Sequence, residues 1–538
     1  MKKGMSRLTA ALVLSVATAG MAHASVLTMC TEGSPEIFNP QLSNNGVTAN
    51  VLSQIYDNLV SVRQADLSIE PALAESWDVS EDGKVYTFHL RQGVNWQGNA
   101  DFTPTRQFNA DDVIFSFARM MDKTHPFHEV SGGAYIGFVN KLGDNLETVE
   151  RIDDYTVSFT LKRRDATFLG VMAFQPMGII SAEYGDVMQA AGTLEKFDRQ
   201  PIGTGPFQLE HFQQDAQVRL KAFHDTWGEA AGRADKSPLV DTVVMLITPD
   251  ASTRVQRALA GECHIALYPN LADADILRQS DKVDLVETAT ASTGFLTFNF
   301  REERYQDARV REALTIGLDI GRLTDVVYQG VAEPTVAIIP SSFWGHNADL
   351  EVPAYDPERA KELLAEAGFA DGFETDVWAL PVVRPYMPNG RRAAEMIQED
   401  WAKLGVKVNI VTYEWAEYIE RARNGEGQVA MFGGIWDYPD PSQIPNSYLS
   451  CDINGKPSPS NIGAWCNDEY NAILRAASES TDHAEREALY KELQAVFARE
   501  KPAVAFASAP TLTVISTAVD GYHPASVGTS SLAGVTLK

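Results

Sequence analysis

Apolar and polar positions follow two different periods along this chain, and the change from one to the other outlines its organisation. Val26 to Met29 reads as a short strand, Cys30 to Pro40 as a loop, and Gln41 to Gly46 as its continuation. Val47 to Leu59 has helical apolar spacing. From Ala72 to Trp96 the period is two, and Val85 to Leu90 reads as a hairpin strand after the Glu81-Asp82-Gly83 turn. Asn109 stands where a helix cap belongs, with Asp111 and Asp112 in the first turn. Thr148 to Lys162 alternates again as a strand pair. Phe168 to Ser181 is apolar, is broken by Gln175-Pro176, and reads as core. The glycine-rich turn Gly203 to Phe207 enters strands over Gln208 to Phe223, and Leu239 to Thr248 reads as a central strand.

Past Thr290 strands alternate with helices. Strands are expected at Phe295–Phe300, Phe373–Leu380, Val406–Thr412 and Val429–Phe432. Helices are expected at Arg309–Tyr328, from Asp356-Pro357 to Gly368, and at Arg391–Leu404, Glu414–Asn424 and His483–Glu500. That alternation predicts a largely parallel sheet. No internal repeat or low-complexity segment occurs.

A chain of 538 residues exceeds one hydrophobic core, so two or three domains are expected. Its formal net charge of −27 argues against nucleic acid or an anionic membrane face as partner. Lys2, Lys3 and Arg7, the apolar run Leu8 to Gly20, and Ala22-His23-Ala24 have the three-part pattern of a secretory signal peptide, with cleavage expected after Ala24. No later run of 18 or more apolar residues occurs. Four cysteines in an exported chain suggest disulfides, and three pairings exist. Cys451–Cys466 is favoured because it closes a short loop, which leaves Cys30 and Cys263.

Enzyme chemistry finds little support. The chain has no G-x-S-x-G, no H-E-x-x-H and no G-x-x-x-x-G-K-[ST], and its ten histidines lack metal-ligand spacing. The segment Gly433 to Pro441 is more suggestive. Two glycines free the backbone after an apolar strand, and Trp436 stands beside Asp437 on a loop stiffened by Pro439 and Pro441. An aromatic beside a carboxylate suits an ammonium group. The alternative is an ordinary strand-end turn with solvated carboxylates.

Several phrases, in order, carry a resemblance along essentially the whole chain after the signal. They are Cys30 to Pro40, Ala74-Glu75-Ser76-Trp77 through Trp96, Asn109 to Val113, Pro201 to Phe207, Arg384-Pro385-Tyr386, and Thr412 to Trp415. The chain resembles the periplasmic dipeptide-binding proteins of the peptide ABC transporter solute-binding family (extracellular family 5). The resemblance implies an α/β, two-lobed periplasmic-binding-protein fold with an extra inserted domain. One lobe would comprise 25–57, 200–290 and 507–538, the insertion 58–199, and the other lobe 291–506. It implies no enzyme activity and no cofactor. The expected partners are a dipeptide and the inner-membrane ABC permease, and a monomer is expected.

The resemblance also implies the disulfides Cys30–Cys263 and Cys451–Cys466. It places Asp437 on a peptide's α-ammonium and Arg384 on its α-carboxylate, with Asn44, Asn45, Gly46, Pro385, Tyr386, Gly434, Ile435 and Trp436 as further contacts. Two fixed opposite charges would select a guest by length. The chain departs from the family where Gly434 replaces a frequent Trp and where Asn44 and Asn45 replace small hydroxyl residues. Haem, glutathione or cationic antimicrobial peptides are alternative ligands within the fold, although no haem-ligating motif is visible. A secreted hydrolase is the remote alternative.

Overall fold

Strand Val26–Thr31 runs between two parallel neighbours, Thr242–Ile247 and Ile265–Leu267. Antiparallel strands extend that arrangement on both sides. The resulting seven-stranded sheet has the order Val283–Thr288, Thr511–Ser516, Ile265–Leu267, Val26–Thr31, Thr242–Ile247, Gln217–Ala222, Phe207–Gln213. The computed structural model describes residues 24–538 apart from 44, 136, 137, 139–141, 290 and 453. The expected signal segment, apart from its last residue Ala24, therefore lies outside the described residues.

A second sheet, of six strands, has the order Glu333–Pro334, Ala503–Ser508, Ser292–Phe298, Val429–Ile435, Glu374–Trp378, Lys407–Val411. It is mixed rather than largely parallel. Ser292–Phe298 runs antiparallel to both of its neighbours, and only the pairings of Glu374–Trp378 are parallel. The reason is that Ser292–Phe298 arrives from the other sheet and does not close a strand–helix–strand crossover with its neighbours. The two sheets mark two lobes of a mixed α/β molecule. The chain passes between them before Ser292 and again after Ser508. The Ser292 hydroxyl donates to the Ala509 carbonyl at 2.9 Å and ties the two passages together.

A third sheet, Ala74–Val79, Val85–Leu90, Thr156–Leu161, Leu146–Asp153, is wholly antiparallel and forms the insertion. Its Phe88 and Phe159 share one continuous core with Leu27, Val243 and Ile265 of the seven-stranded sheet. The six-stranded sheet has a separate core, which includes Phe295, Val377, Trp401 and Met431. The insertion is therefore packed onto the first lobe.

Local chemistry sets many of the element ends. Helix Ala110–Met121 begins at Asn109, whose side chain accepts from the backbone while Asp112 reaches back to the cap. Helix Pro357–Glu366 begins at Asp356 with a proline in its first turn. Two expected helices come out differently. Val47–Leu59 is helical only over Gly46–Leu52. The amide of Gly205 donates to the Ile55 carbonyl at 2.9 Å and that of Phe207 to the Gln54 carbonyl at 3.0 Å, so these acceptors serve the turn beyond Gly203 and not a longer helix. Arg309–Tyr328 splits into Ala308–Ile316 and Ile320–Tyr328, because Asp319 caps a new start after Gly317.

One buried ion pair braces the insertion, and a residue of the first lobe joins it. Arg119 Nη1 and Nη2 each lie 2.9 Å from a separate oxygen of Asp198, and both side chains are fully buried. Asn39 donates to the same carboxylate at 2.7 Å. Both expected disulfides are formed, with Cα–Cα distances of 5.8 Å for Cys30–Cys263 and 5.6 Å for Cys451–Cys466. No helix among the described residues is long and apolar enough to cross a membrane.

Candidate functional site

Between the lobes lies a cavity of about 1670 Å³. From the second lobe, Arg384, Pro385, Tyr386, Gly434, Ile435 and Asp437 line it. From the first lobe, Asn45, Gly46, Asp57 and Tyr268 face it. The two opposite charges singled out from the sequence therefore share one cavity.

Asp437 follows strand Val429–Ile435 and is half-buried. Gln443 holds it from both sides. The Gln443 Nε2 donates to Asp437 Oδ2 at 2.6 Å, and Gln443 Oε1 accepts from the Asp437 amide at 2.8 Å. This clamp fixes the orientation of the carboxylate on the loop. Nothing in the local sequence announces it, because Gln443 stands beyond Pro439 and Pro441.

Arg384 sits on the loop after strand Glu374–Trp378. Its amide and carbonyl pair with those of Met387, which makes a tight turn, and its guanidinium lies 5.8 Å from the centre of the Trp415 ring. Tyr386 anchors the turn. Its carbonyl accepts from the Tyr328 hydroxyl at 2.6 Å, and its ring lies on the backbone of Gly433. Burial pushes the Tyr386 hydroxyl above its ordinary value, while the charge and hydrogen bond of Arg384 oppose that shift. On the first lobe, burial likewise raises the Tyr268 hydroxyl, and Glu32 adds to the shift while Arg384 opposes it. Arg384 thus acts electrostatically across the cavity.

A Cβ built on Gly433 would fall 2.2 Å from Tyr386 Cδ2 and 2.7 Å from the Thr293 carbonyl oxygen. Gly433→Ala should therefore displace the anchor of the Arg384 turn and lower stability by about 1–3 kcal/mol, the usual range for overpacking. Urea unfolding reads this directly. An unchanged midpoint would mean that the ring swings aside freely. Gly434 is a similar case. A Cβ there would meet Ile444 Cδ1 at 2.2 Å, so Ile444 occupies the direction a larger residue would take.

Trp436 is a correction. It does not line the cavity. Its side chain is fully buried in the second lobe's core, 5.7 Å from the Phe343 ring. Alternation is the cause: Ile435 and Asp437 face the cavity, and the residue between them faces the other way. Asn45 lines the cavity, but its side chain already caps helix Gly46–Leu52. Its Oδ1 accepts from the Val47 amide at 2.9 Å and its Nδ2 donates to Glu36 at 3.1 Å. Gly46 has open space where a Cβ would stand. Asn44 lies outside the described residues. Sequence reasoning missed Asp57, whose carboxylate accepts from Thr204 Oγ1 at 2.9 Å and Trp227 Nε1 at 3.0 Å, and which burial pushes above the usual carboxylate range. No group of three or more metal-ligating side chains occurs among the described residues.

Comparisons with known proteins bear on this geometry. The model of the bacterial extracellular solute-binding proteins, family 5 Middle, matches residues 68–456. A dipeptide-binding protein of Escherichia coli (strain K12) is 43% identical over 523 residues, which is 97% of this chain and 96% of that protein. Heme-binding protein A of Haemophilus influenzae is 40% identical over 510 residues, 94% of this chain and 91% of that protein. The crystal structure of a dipeptide-binding protein from Pseudoalteromonas sp. SM9913 in complex with Met-Leu has a TM-score of 0.84 at 33% identity, covering 95% of this chain and 100% of that one.

Proposed function

We propose, from the premise that this chain belongs to family 5 of the bacterial extracellular solute-binding proteins, that it is the dipeptide receptor of an ABC importer. Asp437 receives the guest's α-ammonium and Arg384 its α-carboxylate. Asn45, Gly46, Pro385, Tyr386, Gly434 and Ile435 surround the rest of the guest. The observation that carries this reading is that Asp437 and Arg384, from separate loops of one lobe, line one cavity.

The mechanism is selection by length. A zwitterion of two residues satisfies both charges at once. A single amino acid reaches only one. A longer peptide buries one charged end away from its partner. Leaving one member of such a pair unmatched costs roughly 2–5 kcal/mol, which is enough to reject it. Arginine suits the carboxylate end because its planar fork makes two parallel hydrogen bonds. Side-chain tolerance follows from the size of the cavity, in which water fills what the guest leaves.

The chain is divided into one lobe of 25–57, 200–290 and 507–538, an insertion of 58–199, and a second lobe of 291–506. The three larger sheets, of seven, six and four strands, support this division. Delivery to an inner-membrane permease and export to the periplasm after cleavage at Ala24 complete the reading. Family membership and the three-part N-terminal pattern support them.

Calorimetry with Gly-Leu and with N-acetyl-Gly-Leu tests the proposal. The free dipeptide should bind and the acetylated one, which lacks the ammonium, should bind far more weakly. Equal affinity would remove the ammonium site. A haem ligand is the second reading, favoured by the 40% identity to a heme-binding protein and by a cavity far larger than two residues require. An absorption spectrum that does not change on adding haemin would discard it.

A further inference from the structure

Tyr438 is next to Asp437 in the chain but packs across the cleft, against the insertion and the core it shares with the first lobe. Its backbone belongs to the loop after strand Val429–Ile435 of the second lobe. Its ring, only 3% exposed, lies within the continuous core of the first lobe and the insertion. There it rests against Gly170, whose built Cβ would be 3.4 Å from Tyr438 Cδ2, and 6.3 Å from the Phe174 ring centre. Gly170 belongs to helix Phe168–Met172 of the insertion. A second bond crosses the same boundary nearby: the Ala166 amide donates to the Ser478 carbonyl at 2.7 Å.

The loop carrying this ring shares its anchors with Asp437. Gln443 Oε1 accepts from the amides of both Asp437, at 2.8 Å, and Tyr438, at 3.4 Å. The Trp344 indole donates to the Pro439 carbonyl at 3.4 Å. The Asp440 carboxylate is held by Arg486 and, at 2.9 Å, by the Tyr490 hydroxyl. The loop is therefore mounted firmly on the second lobe, with one aromatic ring projecting from it into the first.

We infer that Tyr438 is a positioning residue for ligand capture: its ring seats beside Gly170 and Phe174 when the lobes meet, and so couples closure to the presentation of Asp437. The inference deepens the dipeptide reading and rests on it. Burying an aromatic ring favours the arrangement that buries it. Apparent affinity scales with the fraction of molecules in the closed, binding-competent form. Removing the ring therefore weakens capture although Tyr438 is not assigned any contact with the guest.

Tyr438→Ala should lose about tenfold or more in Gly-Leu affinity, whereas Tyr438→Phe, which keeps the ring, should stay within about twofold of the parent. The preference for free over acetylated dipeptide should survive in both, because that ratio belongs to Asp437. Gly170→Val, which fills the seat from the side of the insertion, should reproduce the loss. Unchanged affinity in Tyr438→Ala would overturn the inference. Spin labels placed one on each lobe give an independent readout with Gly-Leu present or absent. The closed fraction should be smaller in Tyr438→Ala than in the parent, and an identical distance distribution would also overturn the inference. If the parent binds free and acetylated Gly-Leu alike, the dipeptide reading fails while the label distances still test the latch.

Discussion

Asp437→Asn should weaken Gly-Leu binding by about 2–4 kcal/mol, roughly thirty- to a thousandfold. Asparagine has nearly the same shape, so the loop should keep its course. The change removes the negative charge and leaves the guest's ammonium facing a neutral amide. It also disturbs the clamp, because Gln443 Nε2 now donates to a carboxylate oxygen at 2.6 Å. Charge-assisted bonds of this kind are about twice as strong as neutral ones. Calorimetry against both forms of the dipeptide gives the answer. The variant should bind the acetylated form about as well as the parent does, so that the preference collapses. If Asp437→Asn still binds free Gly-Leu within threefold of the parent, the ammonium is seated elsewhere.

The second large effect concerns stability. Arg119→Met should destabilise the fold by about 3–5 kcal/mol, because it leaves the Asp198 carboxylate buried without a cation. The pair is bidentate and both side chains are fully buried, so solvent cannot compensate. Arg119 also donates to the Tyr135 hydroxyl at 2.9 Å and the Phe127 carbonyl at 3.2 Å, and those acceptors lose this donor too. Urea unfolding of the insertion and the first lobe, which share one core, is the measurement. Replacing both members, Arg119→Met with Asp198→Leu, should recover much of the loss, since a well-packed apolar pair often matches a buried ionic one. A single variant as stable as the parent would show that the carboxylate is hydrated or neutralised some other way.

How much of this was legible in the chain depended on how far each cause acts. Asn109 and Asp356 announce their helices because a cap acts within three residues. The strand Val85–Leu90 announces itself because alternation against one core is a local pattern. Arg384 and Asp437 were found through an ordered resemblance, and the structure brings them to one cavity. The failures have distant causes. The end of helix Gly46–Leu52 is set by a turn near Gly203, far along the chain. The direction of Ser292–Phe298 is set by the passage between lobes, which strand periodicity does not encode. Trp436 was read with its neighbour as one surface, although alternation sends the two to opposite sides. Gln443 and Tyr438 left no signal because each acts through a partner that only the folded chain supplies.

The first lobe's sheet has a consequence for how the molecule is made. Its central strand, Val26–Thr31, leaves the ribosome before any of its neighbours exists. Cys263, which Cys30 must find, lies 233 residues later, a delay of about 10 to 50 s at ordinary elongation rates. The strand Thr511–Ser516, which completes that side of the sheet, comes near the very end. The second lobe's strands, from Ser292 to Ser508, form one uninterrupted stretch and can condense as a unit before the first lobe receives its last strand. A nascent chain of this kind carries its first strand unpaired until its neighbours at Thr242–Ile247 and Ile265–Leu267 are made, which makes it a natural client for chaperones that shield exposed edges.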